Sequence, residues 1–573
     1  MQFDVEINDE LYSAKRGETI KNVLDRIGIV VPTLCYLDGF TPTGGCRMCV
    51  VEVDGISELV PSCSHPVAEW MKIKTHSARV MKARKVIVEL LLASHPDDCL
   101  YCDRSGNCGL QDLAAGMNIR ERKYHARRQN IQVDKVCPSI ERDPGKCILC
   151  GRCIRVCDEV IGVSAIDVIG RGSDSRIGTS YNKGLNLQTC VKCGQCIMVC
   201  PTGALTEKPG LQVVLEALVN PDLYPVIQFS PTVPASIGED LHIRSSKDIL
   251  NLLRAALKKM GFRQVFDVSM AADITIMEEA TEFAQRLSRN EKLPMMTSCC
   301  PAWTSYIEES RPNLLPNLST TYSPQQIMGR VIKDYITISA SQKPENVFVV
   351  SVMPCTAKKN EAELDRRKNG VHHHVDAVIT TRELVRLIRL LGIDVSSLEP
   401  EPSDTHYGIR SSAGNMFGVS GGHLEGLLRT ISLVMSGQEL SPIKIAELRG
   451  LKSRKEARVR IGKTSINVAA VNGLQNAKLL LDEIESGRSN FSLIEVMACP
   501  HGCINGGGQK FRSDEKSLKS RMKAIYDVDE EEIIKVAHKN PVIIDLYESF
   551  LAQPCSNRNM ELLHHAGKTR EAQ

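Results

Sequence analysis

Several features that would assign this chain to other classes of protein are missing from its sequence. No apolar run approaches the roughly 18 residues that a membrane-spanning helix needs. Its 71 basic and 68 acidic residues are intermixed and give a net charge of +3, which offers no basic surface for nucleic acid. Residues 1–6 read as the start of a strand and not as a secretion signal. We therefore expect a cytoplasmic protein that neither crosses a membrane nor binds nucleic acid.

A glycine-rich dinucleotide-binding fingerprint after a strand is also missing. If the protein takes part in nicotinamide chemistry, we expect that chemistry to lie in another polypeptide. The 573 residues are enough for about three to five domains.

Cysteine, by contrast, is abundant. Most of the 22 cysteines cluster as C-x2-C pairs in a long chain without a secretion signal, and both properties argue against disulfides. Zinc would explain isolated pairs but not a duplicated run of four cysteines. Nineteen of the 22 cysteines fit five iron–sulfur sites.

The pattern over residues 1–80 predicts a small β-rich domain that contains the first of these sites. Alternating apolar residues over 3–7 predict a strand, and residues 19–27 predict a short amphipathic helix. Gly44 and Gly45 precede the second cysteine, where the backbone must approach sulfur closely. Four thiolates suit a [2Fe–2S] cluster, and here they are Cys35, Cys46, Cys49 and Cys63.

The pattern over residues 81–125 predicts a helix followed by a loop with three cysteines. Three thiolates leave a [4Fe–4S] cluster one ligand short, and the nearest histidine is the candidate for the fourth position, although a lone histidine is usually structural. The proposed ligands are His95, Cys99, Cys102 and Cys108.

Residues 126–209 contain a duplicated C-x2-C-x2-C-x3-C run, which is typical of two-cluster bacterial ferredoxins. In that arrangement the fourth cysteine of each run binds the other cluster. One [4Fe–4S] cluster is therefore assigned to Cys147, Cys150, Cys153 and Cys200, and the other to Cys157, Cys190, Cys193 and Cys196. Cys137 and Cys555 fit no group and are interpreted as inert thiols.

Beyond residue 210, strands alternate with helices, a pattern that predicts parallel sheets covered by helices. Predicted strands end just before Cys299 and Cys300, before Cys355, and before Cys499. Because ligands of open α/β sheets bind outside the carboxyl ends of the strands, these three segments should converge. Cys503 joins them from the turn after Cys499, so four thiolates could hold one more [4Fe–4S] cluster.

Three motifs around these cysteines resemble the active-site motifs of [FeFe]-hydrogenases. They are TSCCPAW at 297–303, MPCTAKK at 353–359 and MACPHGCINGGGQ at 497–509. The order of the upstream cysteines is similar to that of the large, five-cluster clostridial enzymes. The resemblance therefore extends over about residues 1–555.

This resemblance implies a multidomain α/β and α+β architecture. A β-grasp [2Fe–2S] ferredoxin-like domain would span 1–80, and a small [4Fe–4S] domain with one histidine and three cysteine ligands would span 81–125. A bacterial ferredoxin-like domain with two [4Fe–4S] clusters would follow at 126–209, and a two-lobed α/β hydrogenase domain with parallel sheets at 210–510. Residues 511–573 would form a C-terminal helical segment, with a helix from 548 and a mobile polar tail from 564.

The resemblance also implies the metal ligands of the active site. Cys300, Cys355, Cys499 and Cys503 would carry the [4Fe–4S] cubane of an H-cluster. Cys503 would bridge the cubane to a diiron unit that bears CO, cyanide and azadithiolate. Lys358 would donate a charge-assisted hydrogen bond to a cyanide.

Further residues are implied around the same diiron unit. Backbone amides near Ser230 and Pro231 and the side chain of Gln325 would surround it. Met353 and Met497 would pack against its carbonyls, although core packing alone also explains two methionines at these positions.

A proton route is implied as well. Cys299 is not needed for the cubane and matches the family's proton donor. Glu279, Glu282 and Arg286 share one helix face, which by itself fits a solvated, salt-bridged stripe. The resemblance implies instead that Glu279, Ser319 and Glu282 carry protons between Cys299 and the surface, a task that suits buried carboxyl groups.

Two positions depart from the family pattern, because Ala302 and His501 stand where many members have glycine. His501 lies between two cluster ligands, and we hypothesise that it donates a hydrogen bond to sulfur and shifts the reduction potential. A solvent-facing turn residue is the alternative. The three histidines at 372–374 are interpreted as a surface turn.

The activity that the resemblance implies is the reversible reduction of two protons to H2, with electrons relayed along the clusters. The electron partner is left open between ferredoxin and the NAD(P)H-binding flavin and iron–sulfur subunits of a hetero-oligomeric hydrogenase. Two alternatives lack hydrogenase activity: a cluster-carrying scaffold, and a complex I-like electron-transfer subunit. The first 210 residues alone would permit the latter.

Overall fold

The computed structural model of the protein describes residues 2–126, 132–187, 189–241, 243, 249–370, 373–403, 408–511 and 513–565. His372 of the predicted surface turn and residues 566–573 of the predicted tail lie outside these ranges. Among the described helices, none combines the length and the apolar character that crossing a bilayer requires.

The N-terminal region is a five-stranded sheet with the strand order β2-β1-β5-β3-β4. Its elements are β1 (Gln2–Ile7), β2 (Glu10–Lys15), α1 (Ile20–Arg26), β3 (Val50–Val53), β4 (Val60–Pro61) and β5 (Lys72–Lys74). Strand β1 pairs antiparallel with β2 and parallel with β5. Val5 and Ile7 of β1 are buried against Val23 and Leu24 of α1, because alternate residues of a strand face one side.

Two helices follow this sheet, α2 (Ala78–Ser94) and α3 (Gly109–Gly116). Val88 of α2 and Leu110 of α3 are buried in one apolar cluster. His95 ends α2 in an extended conformation. The loop that carries the next cysteines therefore starts at this histidine.

The next region repeats one local structure, as its duplicated cysteine run predicts. Its elements are β6 (Ile140–Arg142), α4 (Arg152–Arg155), β7 (Asp167–Ile169), β8 (Arg176–Gly178), α5 (Gln195–Val199) and β9 (Leu205–Glu207). Helices α4 and α5 each begin after a glycine with positive φ, Gly151 at 70° and Gly194 at 73°. Both glycines follow the second cysteine of their run, so the chain turns in the same way around each set of thiols.

The remaining strands and helices belong to the largest region. The strands are β10 (Tyr224–Phe229), β11 (Gln264–Asp267), β12 (Met295–Met296), β13 (Val347–Met353), β14 (Ala377–Thr380), β15 (Arg454–Ile461), β16 (Thr464–Asn472) and β17 (Leu493–Met497). The helices are α6 (Leu211–Val219), α7 (Thr232–Asp240), α8 (Ile249–Lys259), α9 (Ser269–Arg289), α10 (Pro301–Ser310), α11 (Pro324–Ser339), α12 (Ala357–Asn369), α13 (Thr381–Leu390), α14 (Ser412–Asn415), α15 (Gly422–Ser436), α16 (Leu474–Glu485), α17 (Glu515–Glu531), α18 (Pro541–Ser549) and α19 (Asn557–Leu562).

These strands form two sheets of four strands each. The first, in the order β11-β10-β13-β14, is entirely parallel, as predicted. The second, in the order β12-β17-β16-β15, is mixed, because β15 and β16 form an antiparallel hairpin. The sequence pattern missed this hairpin because β15, with the sequence RKEARVRI, places charged residues on the outer face of an edge strand.

Helix α9 lies between the two sheets. Ala271 and Ile274 pack in the cluster that contains Val349 of the first sheet, whereas Ile276 and Phe283 pack in the cluster of the second. The helix spans Ser269–Arg289, and Ile274 and Ile276 are among its buried residues.

The C-terminal segment differs from the single helix and mobile tail that the sequence predicts. Two short helices, α18 and α19, are followed by His564, which is only 2% exposed. His564 Nε2 lies 3.1 Å from Glu278 Oε2 on α9. The same carboxylate accepts hydrogen bonds from the Tyr547 hydroxyl, the Asn559 amide and the Cys555 backbone N–H. These hydrogen bonds attach residues 547–564 to α9, and no local sequence pattern predicts them.

The predicted surface turn of histidines is also wrong for His374. Its side chain is buried, with Nδ1 3.2 Å from Gln326 Oε1 and the backbone N–H donating to Asp365. Burial lowers the pKa of His374 to about 4, so the ring is neutral near pH 7. His373 is half-buried, with Nε2 2.7 Å from Asp376 Oδ1.

Candidate active site and cluster sites

A cavity of about 810 Å³ opens where strands of both sheets end. Strands β10, β13 and β17 each run into its wall, so three segments that are far apart in sequence meet there. Five cysteines line it: Cys299 and the four predicted cubane ligands, Cys300, Cys355, Cys499 and Cys503.

Local backbone geometry positions the cysteine side chains in the cavity. Cys300 caps the N-terminus of α10, and its Sγ lies 3.5 Å from the Ala498 backbone N, which donates to it. Gly502, just before Cys503, has φ of 83°, and a Cβ there would lie 2.9 Å from the Met497 sulfur. Only glycine fits this turn, because an added side chain would meet both strain and a neighbour.

The donor set fits an iron–sulfur cubane. Burial, with a further contribution from Cys300, raises the pKa of Cys355 to about 12. Burial also raises the pKa of Cys499 and of Cys503 above the usual range, and neighbouring thiolates add to the effect. Four thiolates gathered around one cavity are unstable without positive charge, whereas an iron–sulfur core would take the place of their protons.

Lys358 and Gln325 share one carboxylate that the sequence analysis missed. Lys358 Nζ lies 2.9 and 3.1 Å from the two oxygens of Glu361, and the Gln325 amide donates to Glu361 Oε2 over 3.0 Å. Lys358 and Gln325 line the cavity. Glu361 follows Lys358 by three residues on α12, and this helical spacing is the signal that could have revealed it.

The predicted backbone donors near Ser230 and Pro231 need correction. Proline has no N–H, and the Ser230 N–H donates to the Val352 carbonyl over 3.0 Å within the sheet. Ser230 therefore offers its hydroxyl, which lies 3.0 Å from the Thr232 hydroxyl, and not its amide.

The two predicted methionines line the cavity beside the cysteines. Met353 is 4% exposed and Met497 is 2% exposed, and both stand at the last residue of a strand. Because thioethers are soft and apolar, this part of the wall excludes water and presents no competing charge.

Cys299 also lines the cavity, next to the cubane ligand Cys300. Burial, followed by the charge of Glu279, raises the pKa of Cys299 well above its usual range, so the thiol keeps its proton. The Sγ atom lies 3.8 Å from Nδ1 of His423, a residue that the sequence analysis did not select. His423 Nε2 in turn lies 2.8 Å from Glu279 Oε2.

The outer part of the predicted proton route forms a second connected group. The Ser319 hydroxyl donates to Glu282 Oε2 over 3.0 Å, and Arg286 donates to Glu282 Oε1 over 2.6 Å. Thr320 donates to the same carboxylate. Among the residues that the structure describes, no hydrogen bond joins Glu279 to this group.

The duplicated run forms its own cavity, of about 430 Å³, which is lined by Cys147, Cys150, Cys153 and Cys200. The other predicted set also lies close together. Burial is the first cause that raises the pKa of Cys196, and the charges of the other three members add to it: Cys157, Cys190 and Cys193.

The two N-terminal sets differ in how closely they gather. In the first, Cys35 accepts hydrogen bonds from Cys46 and Cys63, which lower its pKa. In the second, burial raises the pKa of Cys108, and Cys102 lies near enough to add to it. Burial lowers the pKa of His95, which keeps its imidazole neutral, as a metal ligand must be.

Comparisons with known protein families agree with this arrangement. The iron only hydrogenase large subunit, C-terminal domain, matches residues 224–507, and the iron hydrogenase small subunit matches 515–570. Upstream, a 2Fe-2S iron-sulfur cluster binding domain matches 1–78, and the NADH-ubiquinone oxidoreductase-G iron-sulfur binding region matches 84–123. The ferredoxin-like domain of NADH-quinone oxidoreductase subunit 3 matches 137–206.

Similar proteins span almost the whole chain. The NADP-reducing hydrogenase subunit HndD of Solidesulfovibrio fructosivorans is 40% identical over 572 residues, which cover 98% of each chain. Iron hydrogenase 1 of Clostridium pasteurianum is 37% identical over 569 residues, which cover 97% of this chain and 98% of that one. The structure of a variant of [FeFe]-hydrogenase HydA1 from Chlamydomonas reinhardtii superposes with a TM-score of 0.56 at 32% identity, and covers 62% of this chain and 97% of its own.

The chain belongs to the iron-only hydrogenase family. Because two hydrogenases match it along almost its full length, hydrogenase activity is favoured over a cluster scaffold or a complex I-like subunit. Its iron–sulfur domains precede the catalytic domain, an order that supports an electron relay.

In this hydrogenase the side chain of His501 has a different neighbour from the one hypothesised. Its Nδ1 lies 3.2 Å from the Leu451 carbonyl oxygen, and its backbone N–H donates to Asn472. Among the described residues, no hydrogen bond joins its ring to a cysteine sulfur. Ala302, the second departure, is buried in the apolar cluster behind α10.

Proposed function

We propose that this hydrogenase interconverts H2 and protons at an H-cluster whose cubane is ligated by Cys300, Cys355, Cys499 and Cys503. The single observation that carries the proposal is that these four thiols, from three distant segments of the chain, line one cavity. When bound, the diiron unit would supply the centre at which H2 is formed or split, and Cys503 would hold it beside the cubane.

The cavity wall supplies polar groups of the kind that such a unit requires. Lys358 offers a positive charge that Glu361 holds in place, and Gln325 is held by the same carboxylate. Preorganised donors of this kind stabilise a bound anionic group without having to reorganise. We assign cyanide recognition to Lys358, and the remaining polar contacts to Gln325 and the Ser230 hydroxyl.

Electrons would travel through one [2Fe–2S] and three accessory [4Fe–4S] clusters, held by the predicted ligand sets. Both N-terminal sites contact the region of the cubane assigned to Cys147, Cys150, Cys153 and Cys200. Arg155 donates to the carbonyl of Cys35 from one side, and Arg104 donates to the carbonyl of Cys200 over 2.8 Å from the other. We therefore propose two entry points that converge on this cubane.

The second cubane of the ferredoxin-like domain lies against the active site. The Cys193 carbonyl is so close to Gly507 that a Cβ at Gly507 would come within 2.2 Å of it. Thr356, next to Cys355, donates to the Lys192 carbonyl over 2.8 Å. These contacts support direct electron transfer from this cubane to the H-cluster.

Protons would use the route from Cys299 through Glu279, Ser319 and Glu282. Ser319 and Glu282 are already hydrogen-bonded, and Cys299 lines the cavity. Proton transfer by positioned side chains depends on such contacts more than on any single pKa.

The electron partner follows from a relative. A protein 40% identical over its full length is named as a subunit of an NADP-reducing hydrogenase. We propose that this chain is the catalytic subunit of a complex whose flavin and iron–sulfur subunits bind NAD(P)H, with ferredoxin as the alternative or additional partner.

Loss of a cubane ligand tests the active-site proposal. Cys355→Ala should remove one cubane's share of iron and abolish both H2 evolution and the infrared bands of metal-bound CO and cyanide. The electron paramagnetic resonance signals of the upstream clusters should remain and would show that the variant folds. Cys137→Ala is the matched control, because Cys137 is buried but belongs to no proposed site. Full activity of Cys355→Ala would refute the assignment.

Purification under anaerobic conditions from the native host tests the partner. We expect flavin-containing chains to co-elute and H2-dependent reduction of NAD(P) to be present. An isolated chain that reduces ferredoxin alone would contradict the proposed complex and leave the active-site assignment intact.

A further inference from the structure

His423 is a buried histidine that the family motifs do not mark. It lies in the first turn of α15 and is 0% exposed, and its ring stacks on Phe417 with a centroid distance of 3.8 Å and an interplanar angle of 28°. A Cβ at the preceding Gly422 would approach the Met416 carbonyl oxygen to 2.2 Å, so the backbone has no room to shift. The backbone of His423 is therefore held in place, and only rotation about the side-chain bonds can move the ring.

The two ring nitrogens of His423 face two members of the proposed proton route. Nδ1 lies 3.8 Å from Cys299 Sγ, within reach of a sulfur hydrogen bond, and Nε2 lies 2.8 Å from Glu279 Oε2. No hydrogen bond between Cys299 and Glu279 themselves is found in the described residues. The imidazole is the group that spans the space between the thiol and the carboxyl.

Glu279 has an unusual environment for a carboxyl group. It is 0% exposed, and among the described residues neither of its oxygens accepts an aligned hydrogen bond. The close contact with His423 Nε2 is out of line with the ring N–H, so a small rotation of either side chain is needed to complete the bond. Because burying a carboxyl group without a hydrogen-bond donor is costly, we take His423 Nε2 to be the donor to Glu279.

We propose that His423 carries protons between Cys299 and Glu279. This inference rests on the proposed proton route and names the link between its first two members, Cys299 and Glu279. In the outward direction the Cys299 S–H bond breaks as Nδ1–H forms, and Nε2–H breaks as an O–H bond forms on Glu279. Cys299 regains a proton from the cavity side. The ring then holds its proton on Nδ1, so each transfer is followed by one reorientation of the ring.

Two substitutions separate proton transfer from simple support. His423→Phe keeps an aromatic ring against Phe417 and removes both nitrogens. His423→Gln keeps a donor and an acceptor but cannot pass a proton through the side chain. If His423 only positioned its neighbours, glutamine would restore activity, whereas a relay residue is not rescued by it.

The first measurement uses protein that has its clusters but lacks the diiron unit. The S–H stretching band of Cys299, identified by its loss in Cys299→Ala, reports the hydrogen bond to Nδ1. We expect the band to move to higher frequency in His423→Phe. An unchanged band would overturn the proposal, because the thiol would then not be bonded to the ring.

The second measurement uses the complete enzyme. Loss of a proton-transfer group typically costs about 10²–10⁴-fold, so we expect both variants to evolve H2 at least ~100-fold more slowly, with a larger solvent isotope effect. The infrared bands of CO and cyanide should stay unchanged, since no ligand is touched. His538→Phe is the matched control: His538 is also buried and contacts α15 through Thr430, and this variant should keep its activity.

The outcomes distinguish this inference from the function on which it rests. Activity near that of the wild type in His423→Gln, or in His423→Phe, would overturn the relay, even if Cys299→Ala is inactive. An active Cys299→Ala would instead overturn the proton route itself, and the role of His423 with it. Inactive Cys299→Ala together with inactive His423→Gln supports both.

Discussion

The contact between the ferredoxin-like domain and the catalytic domain includes a buried ion pair made by Arg382, and removal of this arginine is a sharp test of the structure. Arg382 of α13 reaches Glu207 of β9 with two parallel bonds of 2.8 and 3.2 Å. It also donates to the carbonyls of Gly507 and Gln509 in the active-site loop, and its guanidinium stacks 4.1 Å from the Phe511 ring. Arg382 thus joins a ferredoxin strand to the loop that follows Cys503.

The structure gives the size of the expected effect. The side chains of Arg382 and Glu207 are 5% and 4% exposed, so Arg382→Ala leaves a buried charge without a partner. Breaking such a pair costs about 3–5 kcal/mol. For a joined unit that spans residues 126–510, an unfolding entropy of about 2 cal/mol/K per residue makes this a fall of about 5 °C in the thermal transition.

The pH dependence should change in the same variant. Burial alone would raise the pKa of Glu207, but the Arg382 guanidinium more than offsets this and holds the pKa at about 2. Because this value lies below that of an unfolded glutamate, near 4.5, the pair contributes about 3 kcal/mol above pH 4.5, and this is lost as the pH falls towards 2. In Arg382→Ala burial, which raises the pKa of Glu207, is opposed only by the weaker effects of Arg386 and a backbone hydrogen bond, so stability should fall much less over this range.

The assay is scanning calorimetry between pH 3 and 7, combined with hydrogen exchange of residues 205–207 and 503–509. Arg386→Ala is the matched control, one turn further along α13. Its bond of 3.1 Å to Asp103 also joins two domains, but the two side chains are 32% and 48% exposed. An exposed pair contributes about 0–1 kcal/mol. Equal effects of the two substitutions would refute the reasoning, because burial would then not decide the strength of the contact.

Two further predictions concern the path of electrons and the cofactor site. Gly507→Ala should force the active-site loop away from the Cys193 carbonyl and slow electron transfer to the H-cluster in film voltammetry. Gly116→Ala, which meets no atom within 4 Å, should not; equal rates in the two variants would contradict the close approach. Lys358→Gln should shift the infrared cyanide bands and lower H2 evolution by about 10²–10³-fold, as loss of a preorganised donor does. Exposed Lys343→Gln should change neither, and unshifted bands in Lys358→Gln would contradict the assignment.

The sequence by itself determined the chemistry of the protein and much of its architecture. Metal ligands often lie in short loops, so a spacing such as C-x2-C-x2-C-x3-C can be recognised in the sequence alone. The motifs predicted a member of the hydrogenase family, and the relatives that match almost the whole chain confirm it. The first parallel sheet was likewise predictable, because strands buried on both faces are continuous apolar runs such as VFVVSVM of β13.

Which distant side chains meet follows from the packing of the folded chain and not from any local pattern. His423 follows Cys299 by more than a hundred residues, Arg382 follows Glu207 by more than a hundred, and His564 meets Glu278 from the far end of the chain. Each of these residues is polar and lies in an ordinary local pattern, so nothing in its own neighbourhood predicts burial. Such contacts arise when sheets and helices pack. Once an imidazole or guanidinium is buried, loss of its partner costs much more free energy than at the surface, and the local sequence does not show this.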